Sequence, residues 1–127
     1  MNAYAAMKQY QTVNVNAQVS EADPHRLIQM LMEGGLQRLA QAKGAMQFNN
    51  IPLKGELIGK CVAIIGGLRD GLDLDKGGEV AANLDSLYAF MIQRLSIANL
   101  KNDAAVLDEV AALLRDVKEG WDGIRQY

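Results

Sequence analysis

Between Asp23 and Trp121 the apolar residues return every third or fourth position through four successive stretches, with only short turns between them. That spacing puts the apolar side chains of each stretch on one face of an α-helix, whereas a half-buried strand alternates every second residue. No alternating stretch competes. Helices of about 20 residues joined by short turns favour antiparallel neighbours, so the pattern predicts an all-α, antiparallel four-helix bundle over residues 23–127.

Punctuation residues mark the helices. At Asp23-Pro24 the aspartate caps free N–H groups, and proline suits the first turn because its missing N–H is not needed there. The first helix then runs to about Gln47 with Leu27, Ile28, Leu31, Met32, Leu36, Leu39 and Met46 inward. Phe48 to Pro52 reads as a turn. A second helix is expected from about Leu53 to Leu72, with Leu57, Ile58, Cys61, Val62, Ile64, Ile65 and Leu68 on its apolar side. Asp73 to Gly77 reads as a short connection, and a third helix ends near Asn99. Asn102 or Asp103 caps the fourth, whose stripe of Val106, Leu107, Val110, Leu113, Leu114, Val117 and Trp121 covers only ~120°, as a simple bundle helix should.

The third helix differs. Val80, Leu84, Leu87, Tyr88, Phe90, Met91, Ile92, Leu95 and Ile97 span an arc of roughly 220°, well beyond the stripe a core-facing helix needs. Asn83 and Arg94 are set inside that arc. Such a helix keeps apolar surface after packing its own domain, which points to a partner.

Residues 1–22 form a separate segment, an N-terminal arm with Tyr4, Tyr10, many Gln and Asn, and almost no charge. A short helix over Ala3 to Gln11 is compatible with it, and the arm reads as mobile or loosely docked.

Composition narrows the function. A formal net charge of -2 and the lack of any basic run argue against nucleic acid. No apolar stretch approaches the ~18 residues of a membrane span, and Met1 to Tyr4 lacks the pattern of a signal peptide. The single cysteine, Cys61, has no internal disulfide partner, which fits a reducing cytoplasm.

Chemistry is hard to place. His25, the one histidine, lies at the second position of the first helix and reads as a surface or capping residue. A phosphate-accepting histidine of a phosphotransfer bundle would sit mid-helix and exposed. One His and one Cys far apart make no zinc site. Counting Asp73 as the first position of a calcium loop puts Leu84 where a bidentate Glu is needed. Gly66-Gly67 and Gly77-Gly78 neither follow a strand nor lead into Gly-Lys-Ser/Thr. No enzyme, metal or cofactor is expected.

Glycine disfavours helix interiors by about 0.5–1 kcal/mol relative to alanine, yet Gly34, Gly35, Gly59, Gly66 and Gly67 lie inside predicted helices. Gly59, Ala63 and Gly67 form a small-residue stripe that suits either close packing of a neighbouring bundle helix or a shallow groove for a partner helix.

Asp23-Pro24-His25-Arg26-Leu27-Ile28, Gly77-Gly78-Glu79-Val80-Ala81, Asn83-Leu84, Leu87-Tyr88, Met91 and Leu113-Leu114 to Trp121, behind a tyrosine-bearing arm, together resemble the FliS family of flagellin-specific export chaperones. The order and spacing fit over about residues 1–122. The chain departs at Met32, where the family often carries Tyr, and at Gly66-Gly67, where it usually has polar or larger residues. The resemblance implies a cytoplasmic chaperone that binds the disordered C-terminal segment of flagellin, prevents premature polymerisation and assists delivery to the flagellar type III export gate, where gate components and flagellar regulators are further partners. It implies that the arm covers part of the client site in the free protein. The candidate partner-contacting residues are Tyr4 and Tyr10 on the arm, Ile58, Val62 and Ile65 on the second helix, and Asn83, Leu87, Tyr88 and Phe90 on the third. A phosphotransfer bundle and a homo-oligomeric helical module, such as a homodimer, are the alternatives.

Overall fold

The computed structural model describes residues 23–124, which form four helices. They are α1 (Pro24–Gln47), α2 (Ile51–Asp70), α3 (Leu74–Lys101) and α4 (Ala104–Asp122). Each packs on the two that flank it in the ring α1–α2–α3–α4, and α4 closes the ring onto α1. This is the expected four-helix bundle, and there is no strand among the described residues. The arm, with Tyr4, Tyr10 and the short helix expected over Ala3 to Gln11, lies outside the described residues.

Every helix start is held by a side chain. Asp23 Oδ1 accepts from the Arg26 N–H at 2.7 Å, Asn50 Oδ1 from Leu53 at 3.2 Å, Asp73 Oδ1 from Lys76 at 3.0 Å and Asp103 Oδ1 from Ala105 at 3.0 Å. Each satisfies an N–H that the helix itself leaves free. The Asn50 cap corrects the second boundary: Ile51-Pro52 belongs to α2, with Pro52 in its first turn, and α2 ends at Asp70 rather than Leu72. Asp103 is the cap of α4, while Asn102 adopts the left-handed conformation that closes α3.

The connection expected over Asp73 to Gly77 is instead a helical turn from Leu74 to Gly77, broken from the rest of α3 at Gly78. Gly78 has φ 56° and ψ -133°, a conformation open only to glycine, so the backbone turns a corner there without strain. Sequence periodicity misses this turn because four residues are too few to show a period.

The core holds Leu31, Met32, Leu39, Cys61, Ile64, Ile65, Met91, Leu95, Leu107, Val110 and Leu114, all at or below 2% exposure. One polar contact ties α1 to α2 inside it. Cys61 Sγ donates to the Gly35 carbonyl at 3.6 Å, and burial pushes the thiol up to about 12. A Cβ on Gly35 would lie 3.1 Å from Leu114 Cδ2, so here glycine serves close helix approach. Gly67 is buried but Gly59 faces open space, so the stripe of Gly59, Ala63 and Gly67 on α2 is not a continuous packing seam.

Candidate binding site

An antiparallel bundle of four brings alternate helix ends together. At one end of this bundle the starts of α1 and α3 meet the ends of α2 and α4, and a cavity of about 800 Å³ opens between them. Leu27, Ile28 and Met32 of α1, Leu68 of α2, Val80, Leu84 and Tyr88 of α3, and Val117 and Trp121 of α4 supply its apolar walls. Asp73, Lys76 and Asp116 supply charge at its margin. Val80 is 70% exposed and Ile124 is 50% exposed, so the apolar lining continues out to the surface. A volume of this size lies within the roughly 300–1,000 Å³ of pockets that enclose small ligands, and here it is room for several apolar side chains.

Tyr88 is 3% exposed, and desolvation pushes its hydroxyl up to about 12. It therefore stays neutral and acts as an apolar surface with one polar tip. In the cavity wall, the His25 and Trp121 rings stack with centroids 4.9 Å apart and planes 14° from parallel. Trp121 Nε1 donates to the His25 carbonyl at 2.9 Å, which fastens the end of α4 to the start of α1. Gln29 reinforces the junction by donating to Asp122 Oδ1 at 2.7 Å, and Lys118 donates to Asp122 Oδ2 at 2.7 Å. The Lys118 ammonium, more than Gln29, holds the Asp122 carboxyl below its ordinary value. His25 is therefore neither a simple surface residue nor a cap: it is half-buried, and the capping oxygen belongs to Asp23.

A second, smaller hollow of about 530 Å³ lies at the opposite end, beside the α1–α2 turn. Gly44, Phe48, Leu53 and Leu57 line it, and Phe48 stands 87% exposed.

The candidate contact residues do not come together on one surface. Ile58 and Ile65 lie in the core at 2% and 0% exposure, so a partner on the outside of α2 does not reach them without unpacking the bundle. Val62 is partly buried against the same core. Asn83 and Phe90 are exposed, and Leu87 between them is half-buried. These three share one edge of α3 with Arg94, whose Nε donates to Glu109 of α4 at 2.6 Å. Only Tyr88 of the described candidates lines the large cavity. The wall residues His25, Leu72, Val117 and Trp121 were not among the candidates. Bundle topology was the signal for them, since it requires those four helix ends to meet.

The fold and this end cavity define a helical bundle whose chemistry is that of a binding protein. The chain belongs to the FliS family: the family model for the flagellar protein FliS matches residues 6–127. It is 64% identical over 124 residues to the flagellar secretion chaperone FliSB of Pseudomonas aeruginosa, covering 98% of each chain. It is 47% identical over 119 residues to the flagellar secretion chaperone FliS of Vibrio cholerae, covering 94% of this chain and 88% of that one. With the Salmonella typhimurium flagellar secretion chaperone FliS it shares 42% identity over 125 residues, covering 98% of this chain and 93% of that one. FliS is a chaperone family, not an enzyme family. No helix among the described residues is long and apolar enough to cross a membrane.

Proposed function

We propose that the chain is a cytoplasmic flagellar export chaperone that receives the C-terminal segment of flagellin, keeps it from polymerising early and assists its delivery to the type III export gate. The observation that carries this reading is the open apolar cavity at the bundle end where the described chain begins, in a chain of the FliS family. A disordered client lays apolar side chains into that cavity and orders as it binds. Folding on binding lets a short segment cover a large surface, with the ordering cost met at that moment. The edge of α3 that bears Asn83, Leu87 and Phe90 extends the contact, and in this reading the arm with Tyr4 and Tyr10 covers part of the site when the client is away. Phosphotransfer is disfavoured, because His25 sits in the first turn of α1 with its ring against Trp121.

Calorimetry with a peptide of the flagellin C-terminal segment tests the reading. A large negative heat-capacity change is expected, with affinity nearly constant between low and physiological salt. Circular dichroism should show helix gained by the peptide. No binding to the full chain, or a steep loss of affinity with salt, would overturn it. Deleting residues 1–20 should change the affinity and leave the bundle helical.

A further inference from the structure

One stretch of the large cavity's wall is built differently from the rest. Leu27, Met32, Leu68, Leu84, Tyr88 and Trp121 line the cavity from positions buried in the core or packed against it. Asp73, Lys76 and Gly77 line it from a run in which every residue from Asp73 to Val80 is exposed. The hydrogen bonds of the turn Leu74–Gly77 with its cap stay local. Asp73 Oδ1 accepts from the Lys76 N–H at 3.0 Å, and the Asp73 carbonyl accepts from the Gly77 N–H at 2.8 Å. Among the described residues, no ion pair engages Asp73, Asp75, Lys76 or Glu79. Leu72, partly buried against the core, and Ala81, 5% exposed, anchor the run at its two ends. A turn with its own cap, local bonds and no buried side chain opens at low cost.

Two glycines set the bend that brings this turn to the cavity. Gly78 takes φ 56° and ψ -133°. A Cβ on Gly77 would collide with the Ala81 Cβ at 2.5 Å. On a continuous helix, residues four apart keep their Cβ atoms about 5–6 Å apart. Alanine at either position therefore suits an unbroken α3 but not the bend. Glycine enters both arrangements, because it takes positive and negative φ about equally readily.

We infer that the turn Leu74–Gly77 is a movable wall of the client cavity, hinged at Gly78. Bent, it holds a docked segment; swung into line with α3, it admits or releases one. The inference rests on the proposed binding of the flagellin C-terminal segment. The connection from Gly71 to Asp73 can follow the swing, since three residues extend to roughly 10 Å and one helical turn rises only about 5.4 Å. The swing loosens Leu72 from the core, which makes the bent form the resting one. A ligand biases such an equilibrium only through contacts that differ between the two states. Asp73, Lys76 and Gly77 line the cavity in the bent form and are exposed, so a segment lying against them favours closing.

Relaxation dispersion on the full chain labelled with ¹⁵N-glycine tests the hinge. Gly77 and Gly78 should show microsecond-to-millisecond exchange, the range of lid motions. Gly44 and Gly59, inside α1 and α2 with open space around them, should not. Saturating flagellin C-terminal peptide should quench the exchange. Flat profiles at Gly77 and Gly78 in the free chain would overturn the hinge. Stopped-flow mixing with a dye-labelled flagellin C-terminal peptide tests the wall. Gly77→Ala, which excludes the bend, should release the peptide about fivefold faster or more. A semisynthetic chain with D-alanine at 78, which holds the bend, should take up and release the peptide about fivefold more slowly or less. Opposite effects on release separate a hinge from simple damage to the site. Parent-like rates in both variants would refute the movable wall and leave the chaperone reading standing. If the parent does not bind the peptide, the chaperone reading fails and the wall fails with it. Should Gly77→Ala fail to fold, relaxation dispersion on the parent and the rates of the D-alanine chain still decide.

Discussion

The ammonium of Lys54, at 4% exposure, donates to the main-chain carbonyl of Asn99 at 2.9 Å, so a buried cation in the first turn of α2 closes the last turn of α3. Helix C-termini leave carbonyls unpaired and carry partial negative charge, and one lysine answers both. Lys54→Met keeps most of the aliphatic stem and removes the bond. It should destabilise the bundle by about 1.5–3 kcal/mol, the usual worth of a hydrogen bond to a charged group. Urea unfolding should show the midpoint falling with an unchanged slope.

Trp121 is the only tryptophan, so its fluorescence reports on the cavity wall alone. Trp121→Phe keeps a stacked ring and loses the bond to the His25 carbonyl. A loss of about 1 kcal/mol is expected, together with faster amide exchange at the start of α1. In the parent chain, adding the flagellin peptide should shift the Trp121 emission maximum. An unchanged spectrum at saturation would place the client elsewhere.

Phe90 offers a cleaner test of the α3 edge than Leu87. Leu87 packs against the core, so Leu87→Asp would confound folding with binding. Phe90 is 44% exposed, and Phe90→Asp should alter stability by no more than about 0.5 kcal/mol, as is usual for surface changes. If the edge extends the client contact, affinity by calorimetry should drop about tenfold or more. Unchanged affinity would confine the client to the cavity.

Stability should decline in mild alkali. Burial raises the Cys61 thiol from 9.0, and the Tyr88 hydroxyl from 10.0, each to about 12. Raised values in the folded state mean that the unfolded chain loses these protons first. The stabilising contribution is therefore whole below about pH 9 and is lost as the pH rises toward about 12. Chemical unfolding across this range should show the decline, and Cys61→Ala should make it shallower, with the Tyr88 part remaining.

At Gly78 an L-side chain must enter a conformation that costs about 1–3 kcal/mol. Gly78→Ala should lower the melting temperature accordingly. A semisynthetic chain with D-alanine at 78 should melt at or above the parent, because the mirror-image residue favours φ 56°. Equal losses with both enantiomers would show that the position lacks room rather than tolerating one hand only.

The four helices were legible because their evidence is local. Caps such as Asp23 and Asp103 act within three residues, and apolar periodicity needs only one helix to show itself. The family was legible for a similar reason, since its motifs are short and ordered along the chain. Tertiary structure decided which apolar residues remain available. Ile58, Ile65 and Leu87 look alike in sequence, yet two are sealed in the core and one is half-open, because burial depends on which helix lies opposite. The cavity and the His25–Trp121 pair arise only when ends of the chain 96 residues apart meet. No local pattern encodes such a meeting, and the pairing of one helix end with another is settled by how all four pack at once.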